Sequence, residues 1–467
     1  MEDLLRIKSI LVEDLFGIYR HELKLNTDER ATIIHGPNGV GKTALLRCIS
    51  AFFNGRFDLV NETPFSNLEI KLGDGTKISV SRELPLERDE KLASQSSQSR
   101  SLVVKLENES DPEFISTSFA LSEFSDPSRT AKLIERQSPW ISQVDPENYI
   151  DDRTQELISA EEVVRRYSER LAPGVLTAEP PLLTDLRKRV KVRFIETNRL
   201  YKFEPQPGRR SHRGRSFTNT VTTCASELHA QIESAITQYG RRAQVLDQSF
   251  PHRLVQENSP PLSSRELKDR LEQLEARQQE LSSIGLLESQ PARPLDTASI
   301  ESITDEKLLA MTLFLKDSEE KISLLSSLSQ RIELLLSSIN RKFRNKQIAV
   351  SREKGLVALA PDGTALSLEA LSSGEQHEIV LSYELLFSIS RDTLVLIDEP
   401  ELSLHVNWQR RFLPELLEFA NAVGYDAIIA THSPFIVGDR WDLLVPLGSI
   451  PDESDDLASE RGEVSRR

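Results

Sequence analysis

Gly36 to Thr43 read GPNGVGKT, the G-x-x-x-x-G-K-[ST] spacing of a loop that cradles phosphate. Glycines serve where the backbone curls so that successive N–H groups face an anion, a lysine reaches the β- and γ-phosphates, and a hydroxyl meets magnesium. This assigns Gly36, Pro37, Asn38, Gly39, Val40, Gly41, Lys42, Thr43 and Ala44 to nucleotide phosphates, with Lys42 as charge carrier and Thr43 as a Mg2+ ligand. A second string, TLVLIDEPELSLH from Thr393 to His405, is an apolar run ending in two acids. A buried parallel strand delivers such acids at its carboxyl end, beside a phosphate site. Asp398 would hold magnesium through a water, and Glu399 would orient or deprotonate an attacking water. The plainer alternative is a capping pair at a strand end. THSPF, Thr431 to Phe435, follows DAIIA and puts His432 at another strand end, within reach of the same pocket if the two strands are neighbours; otherwise it is a structural histidine. LSSGEQ, Leu371 to Gln376, stands just ahead of a helical run, where Ser373, Gly374 and the helix N-terminus could present donors to an anion. By itself that string is an N-cap.

The elements around these residues follow from periodicity. Residues 5 to 35 predict strand, turn, strand, with ATIIH leading into the glycine loop and a helix from about Lys42. LEIKL and KISVS flank Gly73-Asp74-Gly75, a spacing that predicts an antiparallel hairpin. Polar residues 86–100 and the segment EPQPGRRSHRGRS between Phe203 and Phe217 predict loops. VKVRFIET at 190–197 predicts a strand. Leu267, Leu271, Leu274, Leu281 and Ile284 form one apolar seam; Leu308, Met311, Leu315, Ser318, Ile322, Leu325, Ser329, Ile332, Leu336 and Ile339 form a second, with two serines in it. Two such helices joined through Pro291 and Pro294 predict an antiparallel hairpin, the alternative being two amphipathic helices lying on the globular body. Beyond Arg344 strands and helices alternate, which predicts a mostly parallel sheet.

Composition narrows the classes. At 467 residues with 38% apolar and 28% charged residues, the chain suits two or three structural units, and no apolar run is long enough for a membrane helix. The N-terminal stretch lacks the pattern of a signal peptide, so a cytoplasmic protein is expected. Two cysteines, Cys48 and Cys224, imply neither a disulfide framework nor a zinc site. A net charge of −15 argues against a protein that coats DNA over its whole surface.

In the order P-loop, LSSGEQ, IDEPELSLH, THSPF, the chain resembles the ABC-type ATPases, in their soluble SMC, Rad50 and RecF-like branch. The resemblance implies an α/β fold: an ABC-type ATPase head, with a mixed sheet carrying the P-loop and an antiparallel β lobe, interrupted by an inserted helical or coiled-coil hairpin. The expected divisions are 1–200 and 345–445 for the two halves of the head, 201–344 for the helical insertion and 446–467 for a charged, disordered tail. It further implies ATP and Mg2+, and two heads sandwiching two ATP molecules, each P-loop facing the partner's signature. Ser372, Ser373, Gly374 and Glu375 then face nucleotide in trans, His432 senses it in cis, and Ser403 to His405 join the opposed sites. FIETNRLY at 194–201 resembles the strand leading to a further magnesium contact, for which Asn198 stands where a glutamine is common.

DEPELSLH followed by THSP resembles the OLD-type and AAA15-type ATPases of prokaryotic antiphage systems, over residues 1–80 and 345–445. The residues after His432 are too few for the Toprim domain of OLD nucleases. The first functional expectation is therefore an ATPase subunit, PARIS-type or next Septu- or retron-type, that forms a homodimer or higher homo-oligomer. It would control a separately encoded effector, a nuclease, in response to a phage protein or DNA trigger, without a membrane. The alternative is a RecF-like DNA repair clamp, using RKRVKVR at 187–193 and Arg209, Arg210, Arg213 and Arg215 on phosphates.

Overall fold

The computed structural model describes residues 5–83, 101–108, 111–120, 127–138, 140–145, 147–151, 156–167, 181–195, 201–202, 218–256, 260–288 and 304–447. Asn198, the loop at 86–100, the arginines between 203 and 217 and the tail from 448 lie outside them. The chain forms two compact units, one of residues 1–198, 203–217 and 389–467, the other of 199–202 and 218–388.

In the first unit the P-loop strand Ala31–His35 lies inside a five-stranded sheet ordered Lys191–Ile195, Thr393–Asp398, Asp426–Ala430, Ala31–His35, Leu444–Pro446. Every pairing in it is parallel. Thr393–Asp398 and Asp426–Ala430 are buried at every position, which is why both read as unbroken apolar runs, as strands covered on both faces do. The register sets Asp398 opposite Ala430, and Ala430 opposite Ile34. The ends of the acidic, THSPF and P-loop strands are therefore level.

A six-stranded antiparallel lobe carries the strands Tyr19–Lys24, Ile7–Leu15, Asn67–Leu72, Thr76–Glu83, Ser101–Asn108 and Asp111–Ala120, in that order. Asn67–Leu72 alternates half-buried or exposed with buried residues, the pattern of a strand with one face on a core. The helix Lys42–Phe53 buries Leu45, Leu46, Ile49 and Phe52 in one cluster with Ile10, Val12, Leu68, Ile70, Ile78 and Val80 of the lobe and Leu394, Leu396 and Ile428 of the parallel sheet. The P-loop helix is thus held from both sides. A satellite of Pro127–Gln137, Ala160–Tyr167 and a three-stranded sheet closes around Trp140, Tyr149 and Val163.

The second unit contains three long helices, Thr220–Gln256, Ser264–Ser283 and Asp305–Lys342. The last, with 38 residues, is ~57 Å long. Its seam serines are buried, Ser318 at 7% and Ser329 at 0% exposure, and Ser329 Oγ accepts from Arg277 at 2.7 Å. The hairpin partner differs from the expected one. Leu262, Arg270 and Arg277 bond Thr312, Glu319 and Ser329 in rising order, so Ser264–Ser283 runs parallel to Asp305–Lys342. The antiparallel partner is Thr220–Gln256, through Arg242–Glu320, Asp247–Lys321 and Arg253–Asp317. An apolar seam has the same spacing read in either direction, and Thr, Gln, Ser and Pro251 thin the seam of Thr220–Gln256. The same unit holds a three-stranded antiparallel sheet, 347–366, and the helix Ser373–Tyr383.

Candidate functional site

The chain leaves the strand Ala31–His35 at Gly36, where a Cβ would stand 2.5 Å from the Leu447 carbonyl oxygen. Gly39 and Gly41 adopt φ of 88° and 93°, a region open to glycine, and a Cβ on Gly41 would lie 2.5 Å from Leu15 Cδ2. The imidazole of His21 is 2.8 Å from the Val40 carbonyl oxygen and buried; burial lowers its pKa, so a neutral ring donates that bond. Loop curvature is therefore imposed locally by glycine and fixed from outside by the lobe.

Lys42 Nζ donates to Gly36 O at 2.8 Å and Pro37 O at 3.1 Å, and sits 2.6 Å from His432 Nε2. Burial lowers the Lys42 pKa, while Glu399, Asp398 and Glu401 oppose that shift. His432 is lowered by burial and by the Lys42 charge, against Glu399 and Glu401. The His432 direction favours a neutral imidazole beside Lys42, and the acids around Lys42 oppose the loss of its charge that burial favours. Thr43 Oγ1 donates to Asp398 Oδ1 at 3.0 Å. Burial raises the Asp398 carboxyl, and the Thr43 bond, Arg47 and Lys42 pull it back.

Glu399 stands in the left-handed region, φ 43° and ψ 56°, on the turn that leaves the acidic strand. This conformation is costly for a residue with a Cβ and is found where surroundings enforce it. Here the Glu399 N–H donates to Ala430 O at 2.9 Å, and the carboxylate lies 3.7 Å from His432 Nε2. The level strand ends thus bring Lys42, Thr43, Asp398, Glu399 and His432 together, and His432 lies in the turn after Asp426–Ala430, the strand that neighbours the acidic one.

Glu401 is a group that motif reasoning passed over. Its Oε1 accepts the His432 backbone N–H at 2.7 Å, and its Oε2 is buried without a hydrogen bond. Gln409 is a second such group. It is buried, accepts from Ser433 Oγ at 2.7 Å and donates to Leu404 O at 3.3 Å, tying the THSPF turn to the turn after the acids. The available signal was an extra acid two residues beyond Glu399 on a turn opened by Pro400.

The donor set fits nucleotide and Mg2+. Successive loop N–H groups, a lysine and a hydroxyl paired with a carboxylate are oxygen- and phosphate-seeking groups, and Mg2+ in such sites uses few protein ligands beside phosphate and water. Among the described residues no group of three or more His, Cys, Asp or Glu could hold a metal, so an ion here would share its ligands with phosphates. Asn198, the other expected metal ligand, lies outside the described residues.

The signature residues belong to the second unit. Ser372 caps the helix Ser373–Tyr383: its Oγ accepts from the Glu375 N–H at 3.4 Å, and Glu375 Oε2 accepts from the Ser372 N–H at 2.8 Å. Burial raises the Glu375 carboxyl, but Lys346 at 2.8 Å and the Ser372 bonds outweigh it, leaving the pKa below its ordinary value. Glu375 is thus engaged as a capping acid. Ser372 and Ser373 are exposed, and a Cβ on Gly374 would meet nothing within 4 Å. Gln376 donates to Leu371 O at 2.8 Å and accepts from Asn219 at 2.8 Å, which fixes the turn to the root of an arm helix.

No curated protein matches the chain. Solved structures with some likeness include the Smc head domain with an extended coiled coil bound to the C-terminal domain of ScpA from Pyrococcus furiosus, at 12% identity and TM-score 0.29, covering 99% of this chain and 100% of that one. Another is the SMC head domain from Thermotoga maritima, at 12% identity and TM-score 0.30, with 94% of each chain covered. A third, the SmcHead bound to the C-winged helix domain of ScpA, has 9% identity and TM-score 0.33, covering 94% of this chain and 93% of that one. No helix among the described residues is long and apolar enough to cross a membrane. The profile of the family described as AAA ATPase domain matches residues 6–437, a span that contains the P-loop, the acidic turn and the histidine turn, and the chain belongs to that AAA_15 family of ATPases.

Proposed function

We propose that this protein hydrolyses ATP between two copies of itself and uses that cycle to control a separate effector, a nuclease, in prokaryotic antiviral defence. The observation that carries the catalytic half is the single pocket holding Lys42, Thr43, Asp398, Glu399 and His432. Lys42 meets His432 and two loop carbonyls. With ATP present Lys42 turns its charge to the β- and γ-phosphates, and His432 is released to contact the γ-phosphate. Thr43 and Asp398, already paired, would hold Mg2+, which would neutralise charge on the phosphates. Glu399 accepts a proton from the water whose oxygen attacks the γ-phosphorus, and the bond to the β–γ bridging oxygen breaks, giving ADP and phosphate. Exposed Ser372 and Ser373, with half-buried Gly374, supply donors to the γ-phosphate of a second copy.

Glu399→Gln tests this reading. Glutamine keeps the size of the side chain and removes the base, so turnover should fall at least about a hundredfold while ATP stays bound and dimers accumulate in mass photometry. Rapid hydrolysis by the variant, or a mass unchanged by ATP, refutes it. The effector half rests on the resemblance of DEPELSLH and THSP to defence ATPases. Co-purification of a nuclease encoded beside this gene, released by ATP or infection, would bear it out. In the basic run at 187–193, Arg187 donates to Phe53 O at 2.9 Å and Arg189 meets Asp74 at 3.5 Å inside the first unit, while Lys188, Lys191 and Arg193 are exposed; a steep salt dependence of DNA binding would favour the clamp instead.

A further inference from the structure

We propose that the arm carries a site for a phosphate group, held by Arg331 in the cleft between Thr220–Gln256 and Asp305–Lys342. The site belongs to the second unit alone and is independent of the ATP reading.

Charged residues of these two helices meet across their contact. Arg253 pairs with Asp317 at 2.6 Å, Lys321 with Asp247 at 2.7 Å, and Arg242 bonds Glu320 at 2.6 Å. About three turns further along Asp305–Lys342 the matching stops, and Arg331 shares its cleft with the neutral Gln231, Ser234 and Gln238 of the other helix. Carboxylates close to this level are engaged elsewhere: Glu227 bonds Tyr383, Glu233 lies 3.9 Å from His229, and Glu333 lies 3.7 Å from Arg277. Among the described residues no carboxylate pairs with Arg331, and its Nε is buried without a hydrogen bond. Burial pulls the Arg331 pKa down, yet a guanidinium stays protonated in proteins. A desolvated cation without a partner is costly, so this side chain has an unmet demand for an anion.

The cleft has room for that anion, about 290 Å³, and its remaining polar groups are amides and hydroxyls, with Ser327 added from the side of Arg331. Gln231 Nε2 donates to the Tyr383 hydroxyl at 3.4 Å, and Ser234 Oγ accepts from Gln238 Nε2 at 3.4 Å; the Ser234 hydroxyl hydrogen is left to donate. Among the described residues no carboxylate lines the cleft, so nothing in it repels negative charge. The guanidinium fork matches two oxygens of an oxyanion. The further donors suit the third and fourth oxygens, which a phosphate has and a carboxylate lacks. Leu324 and Leu328 complete the lining with an apolar wall, a place for the organic part of a small phosphomonoester.

Calorimetry on the full-length Lys42→Ala protein, whose phosphate loop has lost its charge, separates this site from the nucleotide pocket. The probes are inorganic phosphate, phenyl phosphate and acetate at matched ionic strength. One phosphate or phenyl phosphate should bind per chain. Adding Arg331→Met should weaken both roughly 10- to 150-fold, the range for losing a hydrogen bond to a charged group. Tighter phenyl phosphate assigns an organic ester that uses the leucines, and equal affinities assign free phosphate; both support the site. Ser234→Glu supplies a carboxylate in the same cleft, so it should abolish phosphate binding and raise the thermal unfolding midpoint. No phosphate binding, binding indifferent to Arg331→Met, or acetate bound as tightly as phosphate overturns the proposal. Displacement of phenyl phosphate by a short DNA duplex makes the occupant a nucleic acid and also overturns it. Without phosphate, Arg331→Met should unfold at or above the midpoint of its parent, because it removes an unpaired charge; a clearly lower midpoint shows a packing role instead and sinks the assignment.

Discussion

Glu401→Ala and Glu401→Gln separate the charge of this carboxylate from its service as an acceptor. In the wild-type protein one oxygen takes the His432 backbone N–H at 2.7 Å and the other is buried without a hydrogen bond. Alanine leaves that N–H without its acceptor. A hydrogen bond to a charged group contributes about 1.5–3 kcal/mol. Removing a buried carboxylate with one unsatisfied oxygen offsets part of the loss, so the net change in stability should be within about 1 kcal/mol. The local change falls on the backbone that carries His432. If about 1.5–2 kcal/mol of placement is lost in the transition state, turnover falls roughly ten- to thirtyfold. Glutamine keeps an oxygen for the N–H and should stay within about threefold of wild type.

The assay is ATP turnover as a function of pH, with the His432 imidazole followed by NMR. Burial and then the Lys42 charge lower the His432 pKa, and Glu399 and Glu401 raise it. Both variants delete one raising charge, so His432 should titrate at still lower pH in each, while only alanine loses rate. A histidine whose folded pKa is depressed binds fewer protons folded than unfolded. The associated stability is present above the unfolded value and is lost as pH falls through it and on through the folded value. Deleting the Glu401 charge extends that loss to lower pH. Equal rates in alanine and glutamine variants would refute the acceptor argument. An unmoved imidazole titration in both would refute the electrostatic one.

Two other substitutions test the packing that presents the site. Gly41→Ala places a Cβ 2.5 Å from Leu15 Cδ2 at φ 93°, adding about 1–2 kcal/mol of backbone strain alone; calorimetry should show loss of ATP binding, and unchanged affinity would mean the loop is not held against the hairpin. In the second unit Lys342 and Glu378 form an ion pair with side-chain exposures of 2% and 3%, joined by Ser382 Oγ at 3.1 Å from Glu378. Lys342→Ala strands that carboxylate and should destabilise by about 3–5 kcal/mol, read as an early transition in urea, whereas the double variant Lys342→Met, Glu378→Leu should recover most of the loss.

The parts of this protein that its sequence exposes are those where one residue type has one local reason. Gly36 and Gly41 are glycines because a Cβ has no room there. Asp398 is the last of six positions that are all buried and Glu399 follows it, so the change from apolar to acidic marks the strand end directly. Glu401 has no such local reason. Its role exists because Asp398 pairs with Ala430, which sets the turn after one strand against the turn after another, and nothing within ELSLH records that register. The arm shows the same limit in a helix. Seam spacing shows that Asp305–Lys342 has a partner, but direction is carried by side chains such as Arg277, which reaches Ser329 while Arg270 reaches Glu319. A polar serine in a leucine seam acquires meaning only once that arginine is found opposite it. Residues that act through a neighbour distant in sequence, Glu401 on His432 and Lys346 on Glu375, are therefore where substitution can show whether the two turns and the signature cap are positioned as described.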